Sequence, residues 1–482
     1  MCNFKKKNMK NFKLIFVLFV GLLLQNCTKD FEEVNIDPNS PTEVPAHLFL
    51  GNIIRVNQNA IYNAQAGGDM GLCWAQHWSK VQYNDEEKYL PRRAVIDGIW
   101  DVLYADAISD AKSMYNTAVN EGNTNLQGIS LVLQANTFQI LTDIYGPVPF
   151  SEVGQVGNLK PKFDSQEDVY TGILNYLTQA DQLLALDQGN VPSTSDLVYA
   201  GDISKWRKLA NSLKLKALMR ISNKVNVAAD VQALVDAGNL MDSNDDSAQL
   251  IYLSAQPDAN PIYETIVFGN RAEYKNSSVL VDKLTISNDP RRAIISQTNN
   301  VGAYVGNIPG EENTSNYNGF SSPGTFYLSP TLPGVILSHS QVKFLLAEAA
   351  NRGFISGGQT AAYDYYVEGI EASMLFNGVA QSAIDSYLAQ PSINFTTQAD
   401  GRVKIGEQNW IALYGQGIEA WTEWRRTGIP ALSPVLNAAI PSIPKRYYYP
   451  TYSININRDN YLAATATLSG GDELTSPIWW MN

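Results

Sequence analysis

The chain is poor in cysteine, with three residues among 482, at Cys2, Cys27 and Cys73. The first two lie within a stretch that has the composition of a targeting segment, so Cys73 is the single thiol of the remaining chain. An intrachain disulfide is therefore excluded, and a chain of this length can bury a sufficient core without one. Cys73 stands in the apolar stretch GLCWAQHW. We expect it to be a core residue rather than a nucleophile.

Histidine is equally scarce, and the common catalytic motifs are missing. The three histidines are His47, His77 and His339, and no HExxH pattern contains them. Neither GxxxxGK[ST] nor GxSxG occurs, so the usual patterns of zinc proteases, phosphate-binding loops and serine hydrolases are absent. The sequence therefore predicts no catalytic residues and no cofactor.

One acidic stretch, DSNDDSAQL, superficially resembles a calcium loop through Asp242, Asn244 and Asp246. Ser247 stands where that loop needs glycine, and Leu253 stands where it needs glutamate. We interpret the stretch as an acidic loop and predict no metal site. Paired carboxylates for glycoside hydrolysis stay open, because the fold sets their separation.

No apolar run is long enough to cross a membrane. Residues 14–24 are apolar apart from Gly21, and five lysines precede them. A bilayer span needs about 20 apolar residues, whereas a basic segment followed by a short apolar segment is typical of a secretory signal. We predict a lipoprotein signal peptide over 1–26 and acylation of Cys27, although Asn26 replaces the usual small residue before the cysteine. A retained signal anchor is the alternative.

Basic charge is also scarce. The formal charge is −12, and loss of residues 1–26 removes five lysines and no acids, which makes it −17. Such an acidic chain is a poor partner for nucleic acid or for an anionic lipid surface. Residues 27–45 interleave acidic residues, among them Asp30, Glu32, Glu33 and Asp37, with Pro38, Pro41 and Pro45. Charge and proline both oppose collapse, so we predict an acylated N-terminal tether over 27–45.

The remaining chain, 46–482, has strong helical periodicity. Ser165 and Asp202 are expected to cap helices, and Gly428 followed by Pro430 is expected to end one. The helices pair through short loops, which is typical of tetratricopeptide-like hairpins that stack into a superhelix. We therefore predict an all-α fold with pairs near 97–145, 166–223, 338–377 and 381–427.

Two long stretches lack helical stripes and are rich in aromatic and amide side chains. They cover 242–335 and 429–482, and we expect them to form an irregular lobe that binds a ligand, because long loops in compact proteins are usually functional. Aromatic rings beside amides are suited to sugars, which stack on the ring and hydrogen-bond through hydroxyls. Trp74 and Trp78 are four residues apart, which predicts a shared helical face.

The sequence resembles the SusD/RagB family of nutrient-binding outer-membrane lipoproteins, specifically its SusD-like branch. The matching stretches, in chain order, are DFEEVNIDPNSPTEV, FQILTDIYGPVPFSE, FDSQEDVY, GDISKWRKLANSLKLKALMRIS, NDPRR, WIALYGQGIEAWTEWRRTG, IPKRYYYP and PIWW. The resemblance implies a tetratricopeptide-like helical domain with a loop-rich lobe. It also implies a lipid-anchored protein, facing outward from the outer membrane, which captures an oligosaccharide and passes it to a TonB-dependent transporter of the SusC kind.

The resemblance places ligand-binding residues on the loop-rich side. Carried onto this sequence, it favours Trp78, Tyr83, Asn84, Tyr304, Asn307 and Tyr317. It implies that Trp206, Trp421, Arg425 and Arg426 support the fold instead. Three alternatives stay open: a peptide-binding member of the same system, a secreted glycan-degrading enzyme, and a helical-repeat adapter that binds protein.

Overall fold

Helices provide most of the regular structure. The computed structural model describes residues 44–481. The helices are α1 (His47–Ile61), α2 (Arg93–Asp101), α3 (Ser109–Asn120), α4 (Thr124–Tyr145), α5 (Gln166–Leu184), α6 (Ile203–Ile221), α7 (Ala228–Ala237), α8 (Pro261–Tyr263), α9 (Ser278–Ile286), α10 (Arg292–Ile295), α11 (His339–Asn351), α12 (Gly358–Phe376), α13 (Gln381–Leu388), α14 (Gln398–Ala412), α15 (Gly417–Thr427), α16 (Thr451–Ile456) and α17 (Arg458–Ala466). The all-α prediction is confirmed.

Short π-helical segments and strands interrupt this pattern. The π-helical segments are Ala64–Leu72, Val102–Ile108 and Glu264–Phe268. The strands are β1 (Trp78–Lys80), β2 (Ala248–Leu250), β3 (Tyr274–Asn276) and β4 (Gly334–Leu337). β1 pairs with β3 and β2 pairs with β4, both antiparallel. Two of these four strands, β1 and β3, position the loops of the candidate site.

Each of the four stretches predicted to hold paired helices contains helices that pack together. α3 packs on α4, α5 on α6, α11 on α12, and α14 on α15. The successive pairs also contact one another, since α4 packs on α5 and α6 packs on α11. Stacked hairpins of this kind are tetratricopeptide-like.

Local capping explains where several of these helices begin and end. The Ser165 hydroxyl accepts a hydrogen bond from the Asp168 backbone N–H at 3.1 Å, and the Asp202 carboxylate accepts one from the Lys205 N–H at 3.2 Å. Each bond satisfies an amide that has no partner inside its helix. Gly428 adopts a left-handed conformation at the end of α15. All three predicted helix boundaries are confirmed.

A buried charge network ties the helical pairs to one another. Arg220 of α6 is fully buried and pairs with Glu419 at 2.7 Å and with Glu423 at 2.8 Å, both on α15. Arg426 of α15 pairs with Glu423 at 2.8 Å and also with Glu348 of α11. Buried charges of opposite sign must stay paired, because the loss of one partner leaves the other uncompensated. The network therefore fixes how α6, α11 and α15 meet.

The residues expected to support the fold do so. The side chains of Trp206 and Trp421 are fully buried. The Arg425 guanidinium lies 3.6 Å from the centroid of the Trp421 ring and donates to the Asp143 carbonyl oxygen at 2.7 Å. Arg425 is buried, and its contacts join α4 to α15. Arg426 is buried as well. None of Trp206, Trp421, Arg425 and Arg426 is therefore free to contact a ligand.

A second, smaller core holds the irregular lobe against the helices. Cys73, Trp78 and Tyr274 pack there with Trp410 and Tyr414 of the α14 region. Cys73 is fully buried, and burial raises the pKa of its thiol. The prediction that Cys73 is a core residue is confirmed. This core is the base on which β1 and β3 lie.

The lobe stretch 242–335 contains short elements joined by loops, as predicted. Its longest helix is α9, with nine residues. In the acidic stretch, Lys208 pairs with Asp242 at 3.1 Å and with Asp246 at 2.9 Å, and the last residues of this stretch form β2. The stretch 429–482 differs from the prediction, because it contains the helices α16 and α17.

Two of the predictions concern residues that the structure does not describe. The signal peptide over 1–26 and the acylated Cys27 lie outside residues 44–481, and so does all but the end of the tether. They stay predictions. From Ala46 on, the described chain forms one compact unit. No helix in residues 44–481 is both long and apolar enough to cross a bilayer.

Candidate functional site

The antiparallel pairing of β1 with β3 brings two distant loops together. Trp78 lies opposite Asn276, and Lys80 lies opposite Tyr274. In an antiparallel pair the end of one strand adjoins the start of the other. The residues after β1 therefore meet those before β3, and the Val81 N–H donates to the Glu273 carbonyl oxygen at 3.0 Å. Tyr83 is placed next to Arg271 in this way.

The loop between α10 and β4 is bonded to β3 and to residues that directly follow β1 and β3. The Asn307 N–H donates to the Asn276 carbonyl oxygen at 2.9 Å, and the Ser278 N–H donates to the Asn307 carbonyl oxygen at 2.8 Å. Further along, the Thr314 N–H donates to the Val81 carbonyl oxygen at 2.9 Å. These main-chain bonds bring Tyr317 beside the loop that carries Tyr83.

A concave surface lies where the three loops meet. It encloses about 520 Å³ and is lined by Tyr83, Asn270, Arg271, Ala272, Glu273 and Tyr317. We refer to it as the tyrosine depression. Two of the six predicted ligand-binding residues therefore lie in one surface, although they are far apart in the sequence.

The two tyrosines are held differently. The Tyr83 side chain is 65% exposed, and its ring lies 5.8 Å from the guanidinium carbon of Arg271. Tyr317 is half-buried, and its hydroxyl donates to the Gln82 side-chain oxygen. Tyr83 thus offers an open aromatic face beside a cation, and Tyr317 offers a second ring whose hydroxyl is fixed.

Trp78 does not belong to this surface, which corrects two expectations. The π-helical segment and one further turn end near Trp74, and Gln76 has a left-handed backbone, with φ 55°. Trp78 therefore lies in β1 rather than on a helical face with Trp74. Its indole is 1% exposed and donates to the Tyr414 hydroxyl at 2.9 Å. A ring packed in this way has no face for a ligand.

Asn84 and Asn307 are also buried, at 2% and 1% exposure. The Asn84 amide donates to the Glu311 carbonyl oxygen at 2.8 Å, and the Asn307 amide donates to the Ser79 hydroxyl at 2.7 Å. Both amides join the loops of the lobe to one another. We therefore do not retain them as ligand-binding residues, because both side chains are buried and their amide nitrogens are already bonded within the protein.

Tyr304 is half-buried and lies outside the tyrosine depression. The Arg292 guanidinium lies over its ring, 4.7 Å from the centroid. Tyr304 shares a loop with Tyr317 but packs toward α10. Tyr304 therefore does not join Tyr83 and Tyr317 in the depression, and its role in ligand binding stays a prediction.

Four lining residues were missed by the sequence analysis, namely Asn270, Arg271, Ala272 and Glu273. They form the turn that leads into β3, and Asn270 has a left-handed backbone with φ 52°. The Arg271 Nε donates to the Glu273 carboxylate at 2.6 Å. The Gly-Asn pair before Arg271 is a turn signal, but it did not reveal the pairing of that turn with residues near Tyr83.

Buried carboxylates support the site from below. The Glu87 carboxylate accepts from the Lys80 N–H at 2.9 Å and from the Gly310 N–H at 3.0 Å. Glu87 is fully buried, and burial raises its pKa to about 7. Beside it, the Lys80 ammonium pairs with Asp69 at 3.1 Å, and both side chains are 1% exposed. Glu87 therefore joins β1 to the loop that carries Tyr317.

The tyrosine depression has the composition of a binding surface. Glu273 is the one carboxylate among the six lining residues; it is 3% exposed and already paired with Arg271. A glycosidase of the usual type needs two carboxylates across the bond that it cleaves. Within residues 44–481, no cluster of three metal-ligating side chains occurs.

The chain is similar to one known family and to several solved structures. A family model described as SusD-like, starch-binding and associating with the outer membrane matches residues 38–450. No curated protein matches the chain. Solved structures match along nearly their whole length. A chitin-binding protein is 28% identical, with a TM-score of 0.80, and the match covers 91% of this chain and 100% of that one.

Two further structures have the same fold. A SusD homologue from Bacteroides fragilis NCTC 9343 is 26% identical, with a TM-score of 0.79 and coverage of 91% and 100%. A chitin-binding SusD homologue from Flavobacterium johnsoniae is 24% identical, with a TM-score of 0.76 and coverage of 91% and 98%. Because the family model spans most of the sequence, the chain belongs to the SusD-like family of starch-binding proteins that associate with the outer membrane.

Proposed function

We propose that the protein captures an oligosaccharide at the tyrosine depression and does not transform it. The observation that carries this proposal is the meeting of two aromatic rings, Tyr83 and Tyr317, in one open surface of about 520 Å³. Sugar C–H groups stack on such rings, and hydroxyl groups need donors and acceptors close by. The Asn270 amide and the Arg271 guanidinium supply them at the rim.

The shape of the surface suits a protein that must also release its cargo. The lining loops are fixed by main-chain bonds before a ligand arrives, so little ordering entropy is lost on binding. The surface is shallow, so a bound sugar would keep part of its hydration. Affinity would therefore be modest, and specificity would come from ring orientation and amide placement.

The cellular role that we propose follows from the family. The protein would be anchored in the outer membrane through acylated Cys27, would face the outside of the cell, and would pass its cargo to a TonB-dependent transporter of the SusC kind. Two of the similar structures are described as chitin-binding, which makes chito-oligosaccharides the first ligands to test. The acidic chain would have no role with nucleic acid.

The proposal is tested by titration calorimetry on the mature protein with chitotetraose and maltoheptaose. We expect Tyr83→Ala and Tyr317→Ala each to weaken binding by about tenfold, which corresponds to ~1.4 kcal/mol. Their melting temperatures should stay near that of the wild type, because neither ring lies in the core. Tyr304→Ala is the matched control, since it removes a tyrosine of the same loop outside the depression.

Other outcomes of this experiment would support a different function. Binding that is lost with Tyr304→Ala but kept with Tyr83→Ala would place the ligand elsewhere on the lobe. A preference for a peptide mixture over both sugars would favour the peptide-binding alternative. Release of reducing ends from the sugars, measured in parallel, would favour the glycan-degrading enzyme and contradict capture without chemistry.

A further inference from the structure

A second and larger cavity lies among the helices, apart from the tyrosine depression. It encloses about 970 Å³, which is at the upper end of the usual range of small-molecule sites, roughly 300–1,000 Å³. Its walls are formed by the end of α2, the π-helical segment Val102–Ile108, α3, α4, α5, the segment 149–163 and α16. We refer to it as the helix cavity. It has no lining residue in common with the tyrosine depression.

Aromatic rings line several sides of the helix cavity. Five of the lining aromatic residues are half-buried: Tyr104, Tyr115, Phe163, Tyr176 and Tyr452. Phe163 lies in the 149–163 segment and Tyr452 in α16, whereas Tyr115 and Tyr176 come from α3 and α5. Rings on opposite walls can hold both faces of a flat, partly apolar ligand.

Polar groups are distributed between these rings. Gln134 of α4 is 3% exposed, and its Nε2 donates to the Ser130 hydroxyl at 3.0 Å, which leaves its carbonyl oxygen as an acceptor. Gln179 of α5 and Asn116 of α3 are exposed at the wall, and Asn457 is half-buried. A purely hydrocarbon ligand would bury these amides without partners, which costs free energy.

Lys112 of α3 is the one amine that lines the helix cavity. Its stem packs beneath Gly154, and its ammonium has no hydrogen-bond or ion-pair partner among residues 44–481. Burial lowers the pKa of this lysine. A partly buried ammonium without an acceptor is a donor available to a ligand oxygen.

The charges of the lining favour a neutral ligand over an anion. Two carboxylates, Asp101 and Glu152, line the cavity with Lys112. An anionic ligand would gain one ion pair and would face two like charges. The hydroxyl groups of a neutral sugar can donate to both carboxylates and accept from the ammonium.

The walls also argue against an extended peptide. A peptide that binds by strand addition needs an exposed strand edge, and none of the strands β1–β4 contributes a lining residue. The hydroxyl groups of a sugar suit the irregularly placed amides and carboxylates of this cavity. The polar groups of a peptide backbone suit them less well, because they are regularly spaced. We propose that the helix cavity is a second binding site of this protein, for a neutral oligosaccharide.

A second sugar site on the same chain has a consequence for long polysaccharides. A polymer that engages both sites is held more tightly than either site alone allows, because the second contact is intramolecular. The helix cavity would then retain a polysaccharide strand while the tyrosine depression binds the part to be imported. This division of roles does not require the two sites to share a specificity.

The test separates the two sites by substitution. The mature protein with Tyr83→Ala and Tyr317→Ala is titrated with chito-, malto-, xylo- and manno-oligosaccharides, with oligogalacturonate and with a peptide mixture. We expect this double variant to keep its binding of at least one neutral oligosaccharide. Adding Lys112→Met or Gln179→Ala should weaken that binding by about tenfold. Lys224→Met is the control, because it removes an exposed lysine outside the cavity.

The results distinguish this inference from the proposed function. Complete loss of neutral-sugar binding in the folded double variant would overturn the second site and leave the tyrosine depression intact. The second site would also be overturned if the double variant binds a neutral sugar and neither Lys112→Met nor Gln179→Ala weakens that binding. A preference for oligogalacturonate or peptide would overturn it as well. Crystals of the double variant soaked with the best neutral sugar should contain it against Tyr176.

Discussion

At the scale of single residues, Tyr83 shows how the tertiary structure shapes the site. Its backbone is left-handed, with φ 53°, a conformation that is uncommon for bulky residues. The neighbouring bonds from Val81 to Glu273 and from Asn84 to Glu311 hold this turn in place. Strained residues of this kind concentrate at functional sites. Here the turn projects the tyrosine ring outward, where it stays 65% exposed.

His77 shows the opposite situation, a polar side chain enclosed by the core of the lobe. It is fully buried, and its ring centroid lies 4.5 Å from that of Trp410 and 5.6 Å from that of Tyr414. Burial disfavours the charged imidazolium and lowers the pKa of His77 to about 3. In the unfolded chain the pKa of this histidine is near the ordinary value of 6.5. Protonation of His77 in acid therefore favours the unfolded state.

We predict from this that His77 makes the protein sensitive to acid. The unfolded state binds the proton first, so the contribution of His77 is fully present above pH 6.5 and is lost as the pH falls toward 3. Between pH 7 and 5 the loss is about 2 kcal/mol. Denaturant unfolding at both pH values should show a smaller decrease for His77→Phe than for the wild type. An equal decrease in both proteins would show that His77 does not cause it.

At the scale of elements, the candidate site depends on how loops are joined to a two-stranded sheet. β1 and β3 are three residues long and would not be stable alone. They are held because Trp78 and Tyr274 pack in the core beneath them. Glu87 then joins β1 to the loop near Gly310. The position of Tyr317 therefore depends on contacts that the ligand never touches.

We predict that Glu87→Gln loosens this loop and weakens ligand binding while both tyrosines remain. The glutamine amide replaces one accepting oxygen by a donor, so the N–H of Lys80 or of Gly310 loses its partner. The lost bond should lower the free energy of unfolding by about 1–3 kcal/mol. Hydrogen–deuterium exchange should become faster over 304–317, and the affinity for the sugar that binds the wild type should fall. Glu312→Gln is the control, since Glu312 is exposed on the same loop. Unchanged exchange in Glu87→Gln would contradict the role that we give to this carboxylate.

At the scale of the whole molecule, the stacked helices provide a rigid base for the lobe. The network around Arg220 and Arg426 fixes α6, α11 and α15 against one another. A close approach then connects α15 to the π-helical segment before β1. A Cβ atom added at Gly71 would lie 2.5 Å from the Gly417 backbone, so neither position tolerates a larger side chain. The helical scaffold and the loops of the site are thereby mechanically joined.

The cellular role makes a prediction for the intact protein. We expect the mature chain to begin at an acylated Cys27, and we expect Cys27→Ala to abolish anchoring, because several acyl chains hold a protein firmly and their loss removes that energy. Mass spectrometry of the N-terminal peptide and membrane fractionation check this. Purification from the native membrane should also recover a TonB-dependent β-barrel protein. An unmodified N-terminus, or a preparation that never contains such a barrel, would contradict the proposed role.

The sequence by itself determined the helical class and several helix boundaries. Ser165, Asp202 and Gly428 cap helix ends through contacts within one helical turn. Such local interactions can be inferred from residues that are neighbours in the sequence. The irregular stretch 242–335 was also recognisable, because its composition departs from helical periodicity, whereas the helices α16 and α17 within 429–482 were missed. The burial of Cys73 followed from its apolar neighbours.

Only the tertiary structure decided which residues form the candidate site. The bond from Trp78 to Tyr414 joins residues 336 positions apart, and the bond from Tyr317 to Gln82 spans 235. Contacts at such separations leave no local pattern, so the sequence could not show that Trp78 is enclosed or that Arg271 adjoins Tyr83. Exposure is a property of the folded packing, and it was the packing that distinguished Tyr83 and Tyr317 from the buried members of the predicted set.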